Sequence, residues 1–378
     1  MKLFQCQNCG QPLHFENTRC ECCGLALGYL PHRETVTALE PSRTAGPGPQ
    51  VWRALADRRT YRRCANADYD VCNWLVTASP ADAYCAACRH NRIVPDLSLP
   101  ANVARWRVLE WAKHRLFYTL FQLRLPLETK AENPAGLAFE FLADPAPSGS
   151  PVMTGHADGT ITVNLAEADD SERERRRHQM GEPYRTVLGH LRHEIGHYYW
   201  DRIIAGTPGL DEFRGLFGDE RRDYAASLQN YYAQGAPADW SQHFISAYAS
   251  AHPWEDFAET WAHYFHMIDT IETARAFGLA VSPRLAQSPG AVFDFDPRDI
   301  DMNRLVEAWL ALTFAVNSIN RSMGLHDLYP FVLGASAVAK LTFVQRRIRA
   351  FSVRPAEIAL GPTGAVRRAL RRLRSATT

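Results

Sequence analysis

The chain has no cysteine between Arg89 and its last residue, no long apolar run and almost no net charge, and each absence narrows what it can be. Without an apolar run of bilayer length, a membrane-spanning helix is not expected. The richest such stretch, Leu328–Val344, contains Pro330 and Lys340 and predicts packed loop and helix. No apolar segment follows Met1-Lys2-Leu3-Phe4-Gln5-Cys6, so no secretory signal is expected. A net charge of +1 gives no electrostatic footprint for nucleic acid or an anionic membrane. These features predict a cytoplasmic protein. Its 378 residues, 46% hydrophobic and 22% charged, allow two or three globular domains with a sizeable core.

What cysteine there is lies between Cys6 and Cys88. In a reducing compartment such crowding argues for metal over disulfides. Cys6-Gln7-Asn8-Cys9-Gly10 and Cys20-Glu21-Cys22-Cys23-Gly24 are two C-x-x-C-G knuckles. In each, two thiolates grip one ion and the glycine relieves the tight turn after the second. Cys6, Cys9, Cys20 and Cys23 therefore predict a closed structural zinc site, with Cys22 a spare that could replace Cys20 or Cys23. Cys64, Cys72, Cys85 and Cys88 are spaced more loosely and predict a second structural zinc. Glu40–Gln50, with three prolines and two glycines, reads as a loop or linker. So turn-rich a segment has little core of its own, and bound metal should supply much of its folding energy. Arg62, Arg63, Arg89, His90 and Arg92 interleave with Tyr61, Tyr69, Trp74 and Tyr84 near the second set, a pattern that can bind nucleic acid. Against a nearly neutral total, a structural or protein-docking ribbon is the preferred reading.

Asn102–Leu125 carries the apolar spacing of a long helix, and Gly136–Asp144 reads as a strand. Met153–Gly159 and Thr160–Leu165 flank an Asp-Gly turn and predict a hairpin. Thr160–Leu165 is either a sheet edge that could hold an extended peptide by strand addition or an interior strand. His156 is expected to serve the turn, and Asp169–Arg177 a solvated face or helix start.

Tyr184–Ile204 continues as a helix and carries His193-Glu194-Ile195-Gly196-His197. Residues four apart share a helix face, so both imidazoles can reach one ion. Glu194 stands beside them, where a carboxylate can take a proton from water on that ion. Asp201, one turn beyond His197, could steady a ligand imidazole. A catalytic zinc needs a third protein ligand. The metzincin pattern would place a histidine at residue 203, which is Ile203, so that option fails. A glutamate from a later helix is the alternative. Pro253-Trp254-Glu255-Asp256-Phe257-Ala258-Glu259 offers a helix start with Glu255 and Glu259 on one face. Two glutamates turned toward a core are costly unless a positive charge sits there. Asp256, off that face, is expected in solvent, Gly218–Tyr224 in scaffold salt bridges, and His263 and His266 in core or surface roles.

Here the sequence resembles the gluzincins, which carry H-E-x-x-H on one helix and E-x-x-x-[DE] on a later one. More closely it is similar to the bacterial zinc-binding metallopeptidases with an N-terminal zinc ribbon, from the C-x-x-C-G pairs through Trp254–Glu259 to Asn320-Arg321-Ser322-Met323-Gly324. The resemblance implies that His193, His197 and Glu255 bind a catalytic zinc, that Glu194 is the general base and that Glu259 supports a ligand. It also implies that Tyr248, seven residues before Glu255, could steady an oxyanion, although a core tyrosine is an equal reading.

The expected fold is α+β: a small cysteine-rich zinc-ribbon domain (residues 1–95), a mostly helical zincin-like metallopeptidase domain with a small sheet (96–352) and a basic tail (353–378). Asn303–Ser322 and Ala337–Phe351 would complete the helical lobe. The expected activity is peptide-bond hydrolysis on a peptide or protein substrate, with a partner protein at the ribbon and neither nucleic acid nor membrane. The rival reading is a zinc-ribbon adaptor whose hydrolase domain is latent.

Overall fold

A computed structural model describes residues 1–42, 50–79, 83–144, 152–173, 186–284 and 290–352. The architecture is α+β. A first hairpin, β1 (Phe4–Gln5) and β2 (Pro12–Leu13), presents the first knuckle. Gly10 and Gly24 both adopt positive φ, +77° and +74°, which is why each knuckle ends in glycine. Next comes an antiparallel meander of five strands: β3 (Ala26–Leu30), β4 (Thr35–Pro41), β5 (Val51–Ala54), β6 (Thr60–Arg63) and β7 (Leu75–Thr77). Glu40 and Pro41 are therefore strand residues paired with Arg53 and Trp52, and the expected linker connects two neighbouring strands instead of two domains. Residues 43–49 lie outside the described residues.

The ribbon is not a separate bead. Helix α1 (Pro100–Gln122) is sunk so deeply that Glu110, Lys113 and His114 are buried along with Trp106, Leu109 and Phe117. Phe15, Tyr29 and Trp74 from the cysteine-rich part pack with Tyr118 and His114 of α1, and one continuous hydrophobic core runs through both parts. The turn-rich N-terminal quarter thus has more core than its composition suggests, because it borrows a face of α1.

A four-stranded sheet also packs on α1 through Phe117 and Phe139, in the order β10 (Gly155–Ala157), β11 (Thr160–Asn164), β9 (Ala138–Leu142), β8 (Asn91–Ile93). β8, from the stretch read as ribbon, is an edge strand of this sheet and pairs in parallel with β9. Asp158 and Gly159 both take positive φ in the turn between β10 and β11, the geometry a tight hairpin demands. The predicted hairpin is present, but Thr160–Leu165 does not supply an edge. β9 covers its far side, and among the described residues the edge strand on this side of the sheet is β10.

The remaining described residues are mainly helical: α2 (Val187–Ile203), α3 (Gly209–Phe217), α4 (Tyr224–Gln234), α5 (Trp240–His243), α6 (Pro253–Ala276), α7 (Met302–Ser322) and α8 (Ala335–Phe351). None is long and apolar enough to cross a membrane. The predicted start of α2 at Tyr184 and the end of the Asp169–Arg177 run fall outside the described residues, as does the basic tail. Thr186 caps α2 by accepting from the Gly189 N–H at 2.9 Å. α6 starts as expected, with Pro253 in its first turn and His252 capping the Trp254 N–H.

Asp256 contradicts its expectation of solvent exposure. It is fully buried and accepts from Lys340 Nζ of α8 at 2.6 Å. Burial pushes its carboxyl up to about 7 against the pull of Lys340. The sequence of α6 alone could not reveal a partner 84 residues away.

α2 and α6 approach closely where Gly196 meets Ala258, with Tyr199 stacked on Trp261 at 5.1 Å. A Cβ at Gly196 would stand 2.9 Å from the Ala258 Cα, a backbone atom that cannot swing aside. Gly196→Ala is therefore expected to cost about 1–3 kcal/mol by forcing the helices apart. Urea unfolding should show a lower midpoint at unchanged slope. An unchanged midpoint would mean the two helices separate freely.

Candidate metal-binding active site

The contact of α2 with α6 brings three electron-pair donors together. His193 Nε2 lies 3.1 Å from His197 Nε2 and 2.9 Å from Glu255 Oε2, and His197 Nε2 lies 3.6 Å from the same oxygen. His193 Nδ1 faces Glu259 Oε1 at 2.7 Å, so that nitrogen carries the proton and Nε2 keeps its lone pair. Glu259 Oε2 in turn accepts from Ser246 at 2.6 Å. Glu255 Oε1 accepts from the Tyr224 hydroxyl at 2.6 Å, while Oε2 is buried and accepts no hydrogen bond among the described residues.

Lone pairs facing each other in a buried pocket repel unless a cation lies among them. The donors of a four-coordinate zinc, each about 2.0–2.1 Å from the ion, stand about 3.3 Å apart. The observed separations bracket that value, so the residues present fit zinc.

The two cysteine sets pass the same test. Zinc–sulfur bonds of about 2.3 Å place tetrahedral sulfurs about 3.8 Å apart. Cys6–Cys23 is 3.7 Å, Cys9–Cys20 3.6 Å and Cys72–Cys85 3.7 Å, and each set of four gathers within 4.8 Å. Cys22 is exposed and outside the first set. Sequence reading missed His114 of α1, whose Nε2 lies 3.3 Å from Cys72 and 3.7 Å from Cys88. Its spacing from the cysteines gives no signal, since it arrives from another element.

A cleft of about 760 Å³ opens over the His193–His197–Glu255 cluster. β10 and the residues before it line this cleft, together with Trp200, Trp254 and Tyr232 and with His263, His266 and Phe331. Glu194 is nearly buried beside the donors. Burial alone would raise its carboxyl, but the hydrogen bond and charge of His190 outweigh this and hold it ionised. Burial also works against a charged His190, yet Glu167 and Glu194 hold its pKa up to about 9. His190 was not singled out in the sequence, although its spacing, one turn before Glu194, was visible there.

Tyr248 lines the cleft with its ring centroid 5.9 Å from that of His193, in a 3-10 turn, Tyr248–Ser250. Tyr224, read from sequence as part of a scaffold, is the tyrosine that bonds Glu255. Asp201 lies at the cleft, exposed, and no hydrogen bond joins it to His197 among the described residues. Glu259 of the facing helix meets the other imidazole, His193. His156 accepts from the Gly159 N–H at 3.0 Å and so serves its own turn. Trp74 and His90, read as part of a basic aromatic face, are in the core, while Arg89 and Arg92 pair with Glu132 and Glu140.

Two histidines and a carboxylate on one buried point, together with two four-cysteine clusters in the N-terminal quarter, define a zinc-binding protein. The chain belongs to the family described as "Putative zinc-binding metallo-peptidase", which it matches over residues 102–347, and it matches a zinc-ribbon domain over residues 3–99. Proteins of Mycobacterium bovis and Mycobacterium tuberculosis, each named only as uncharacterized, are 40% identical over 350 residues, 91% of this chain and 94% of theirs. No solved structure matches the chain.

Two buried histidines give the fold an acid-sensitive side. Burial pushes His90 down to about 3 and His263 down to about 4, from an unfolded value near 6.5. Below about pH 6.5 the unfolded chain takes up protons that the folded chain refuses, so stability falls as pH drops toward 4. The denaturation midpoint should fall between pH 7 and pH 5, and less steeply in His90→Gln. An equal fall in both proteins would contradict this.

Proposed function

We propose that the protein is a gluzincin-type peptidase that hydrolyses peptide bonds in the cleft above His193 and His197. The observation that carries the proposal is the orphaned Oε2 of Glu255 facing two imidazole lone pairs, with an ionised carboxylate, Glu194, next to them. His193, His197 and Glu255 would hold the catalytic zinc, with Tyr224 orienting Glu255 and Glu259 fixing the His193 tautomer. A zinc ion bound by these residues would supply Lewis-acid polarisation of water and of the scissile carbonyl. Glu194, with one oxygen engaged by His190, takes a proton from the attacking water on the other and passes it to the leaving amine.

Tyr248, half-buried on the cleft wall, donates to the developing oxyanion. The free edge of β10 receives the substrate as an added strand, the role first considered for Thr160–Leu165. The cysteine sets are structural zinc sites that fix the ribbon against α1, and the ribbon's outer face serves a protein substrate or partner. Burial of Trp74 and His90 and the pairing of Arg89 and Arg92 weigh against a nucleic-acid face there. Nine cysteines without a disulfide suit the cytoplasm, where thiolates stay reduced for metal.

Full-length protein loaded with zinc should cleave members of a peptide library and lose cleavage on chelation. Glu194→Gln should lower kcat by about 10²–10⁴-fold with zinc content unchanged. Fully metallated protein that cleaves nothing would overturn the reading and favour the adaptor.

A further inference from the structure

His190 stands between two carboxylates. Its Nε2 lies 3.1 Å from Glu194 Oε1 and its Nδ1 2.9 Å from Glu167 Oε2. Glu167 is 2% exposed and sits in the turn Leu165–Ala168, which continues directly from β11. His193 Nε2 shares its carboxylate oxygen with a second imidazole in a three-donor cluster, whereas His190 belongs to no such cluster among the described residues, so each of its ring nitrogens donates to the carboxylate it faces. Two buried carboxylates and no cation would be costly, whereas an imidazolium between them leaves one net negative charge.

We propose that His190 is a positioning residue, held by Glu167 and donating to Glu194, that fixes the rotation of the Glu194 carboxylate. For its kinetic consequence the proposal rests on the peptidase reading; the bridge itself does not. A carboxylate on a two-bond stem can turn either oxygen toward the cleft and swing by more than an ångström. Pinning Oε1 removes that freedom and leaves Oε2 for the proton. The bridge also ties the cleft wall to the base, because β11 carries Glu167 at its end and pairs with β10, the strand that borders the cleft. A substrate aligned on β10 is thereby registered against Glu194 through Glu167 and His190.

The test uses the full-length, zinc-loaded protein. With histidine labelled in ¹⁵N, NMR should show two slowly exchanging, low-field imidazole N–H signals that vanish together in His190→Gln, one of which is lost in Glu167→Leu. On a peptide that the wild type cleaves, His190→Leu should lower kcat about hundredfold, the loss expected when a reacting group is displaced by about 1 Å, with KM and zinc content unchanged. His190→Gln keeps a donor toward Glu194 and should recover most of the rate. Equal losses in the two variants, or losses shared by KM and zinc content, would make His190 a scaffold residue and overturn the proposal. One N–H signal or none overturns it whatever is cleaved. Two signals in a wild type that cleaves nothing would uphold the bridge and defeat the peptidase reading alone.

Discussion

Three lone pairs, on His193 Nε2, His197 Nε2 and Glu255 Oε2, are made to share one buried point, and the surrounding helices are arranged to keep them there. Each donor is held there by something behind it. Glu259 holds His193, the turn spacing of α2 sets His197 beside it, and Tyr224 takes the other oxygen of Glu255. The helices can bring these groups within reach only because Gly196 lets α2 lie against the backbone of α6. A glycine inside a helix costs local stability. Here the cost is offset by a close approach that no side chain would permit.

The same two helices are anchored from behind. Arg192, the residue before His193, reaches His266 and Asp269 on α6, and Thr119 of α1 donates to Asp269 at 2.6 Å. On its other face α1 meets the second cysteine set through His114 and the aromatic cluster of Phe15, Tyr29 and Trp74. The cysteine-rich part is thus one end of a packed column whose other end is the cleft. Such continuity joins the ribbon to the candidate site through α1, apart from anything its outer surface binds.

What could be read from sequence is what helix and knuckle geometry fix locally. The four-residue spacing of His193 and His197, the pairing of Glu255 with Glu259, the proline start of α6 and both cysteine sets come from short-range rules. What could not be read comes from elements that meet only in the fold. Tyr224, Glu167, His114 and Lys340 each act on a residue far away along the chain. β11 was a candidate edge until parallel pairing with β9 closed its far side. Asp256 looked solvent-exposed because Lys340 was out of sight. His190 is the instructive case. Its spacing was plain, yet only Glu167, arriving from the end of the sheet, gives that spacing a purpose.

Where zinc sits can be seen by anomalous diffraction at the zinc edge from crystals of the full-length protein. A peak is expected within bonding distance of His193 Nε2, His197 Nε2 and Glu255 Oε2, with further peaks at the cysteine clusters. A crystal with zinc at the cysteines and none at the histidines, after growth in excess zinc, would contradict it.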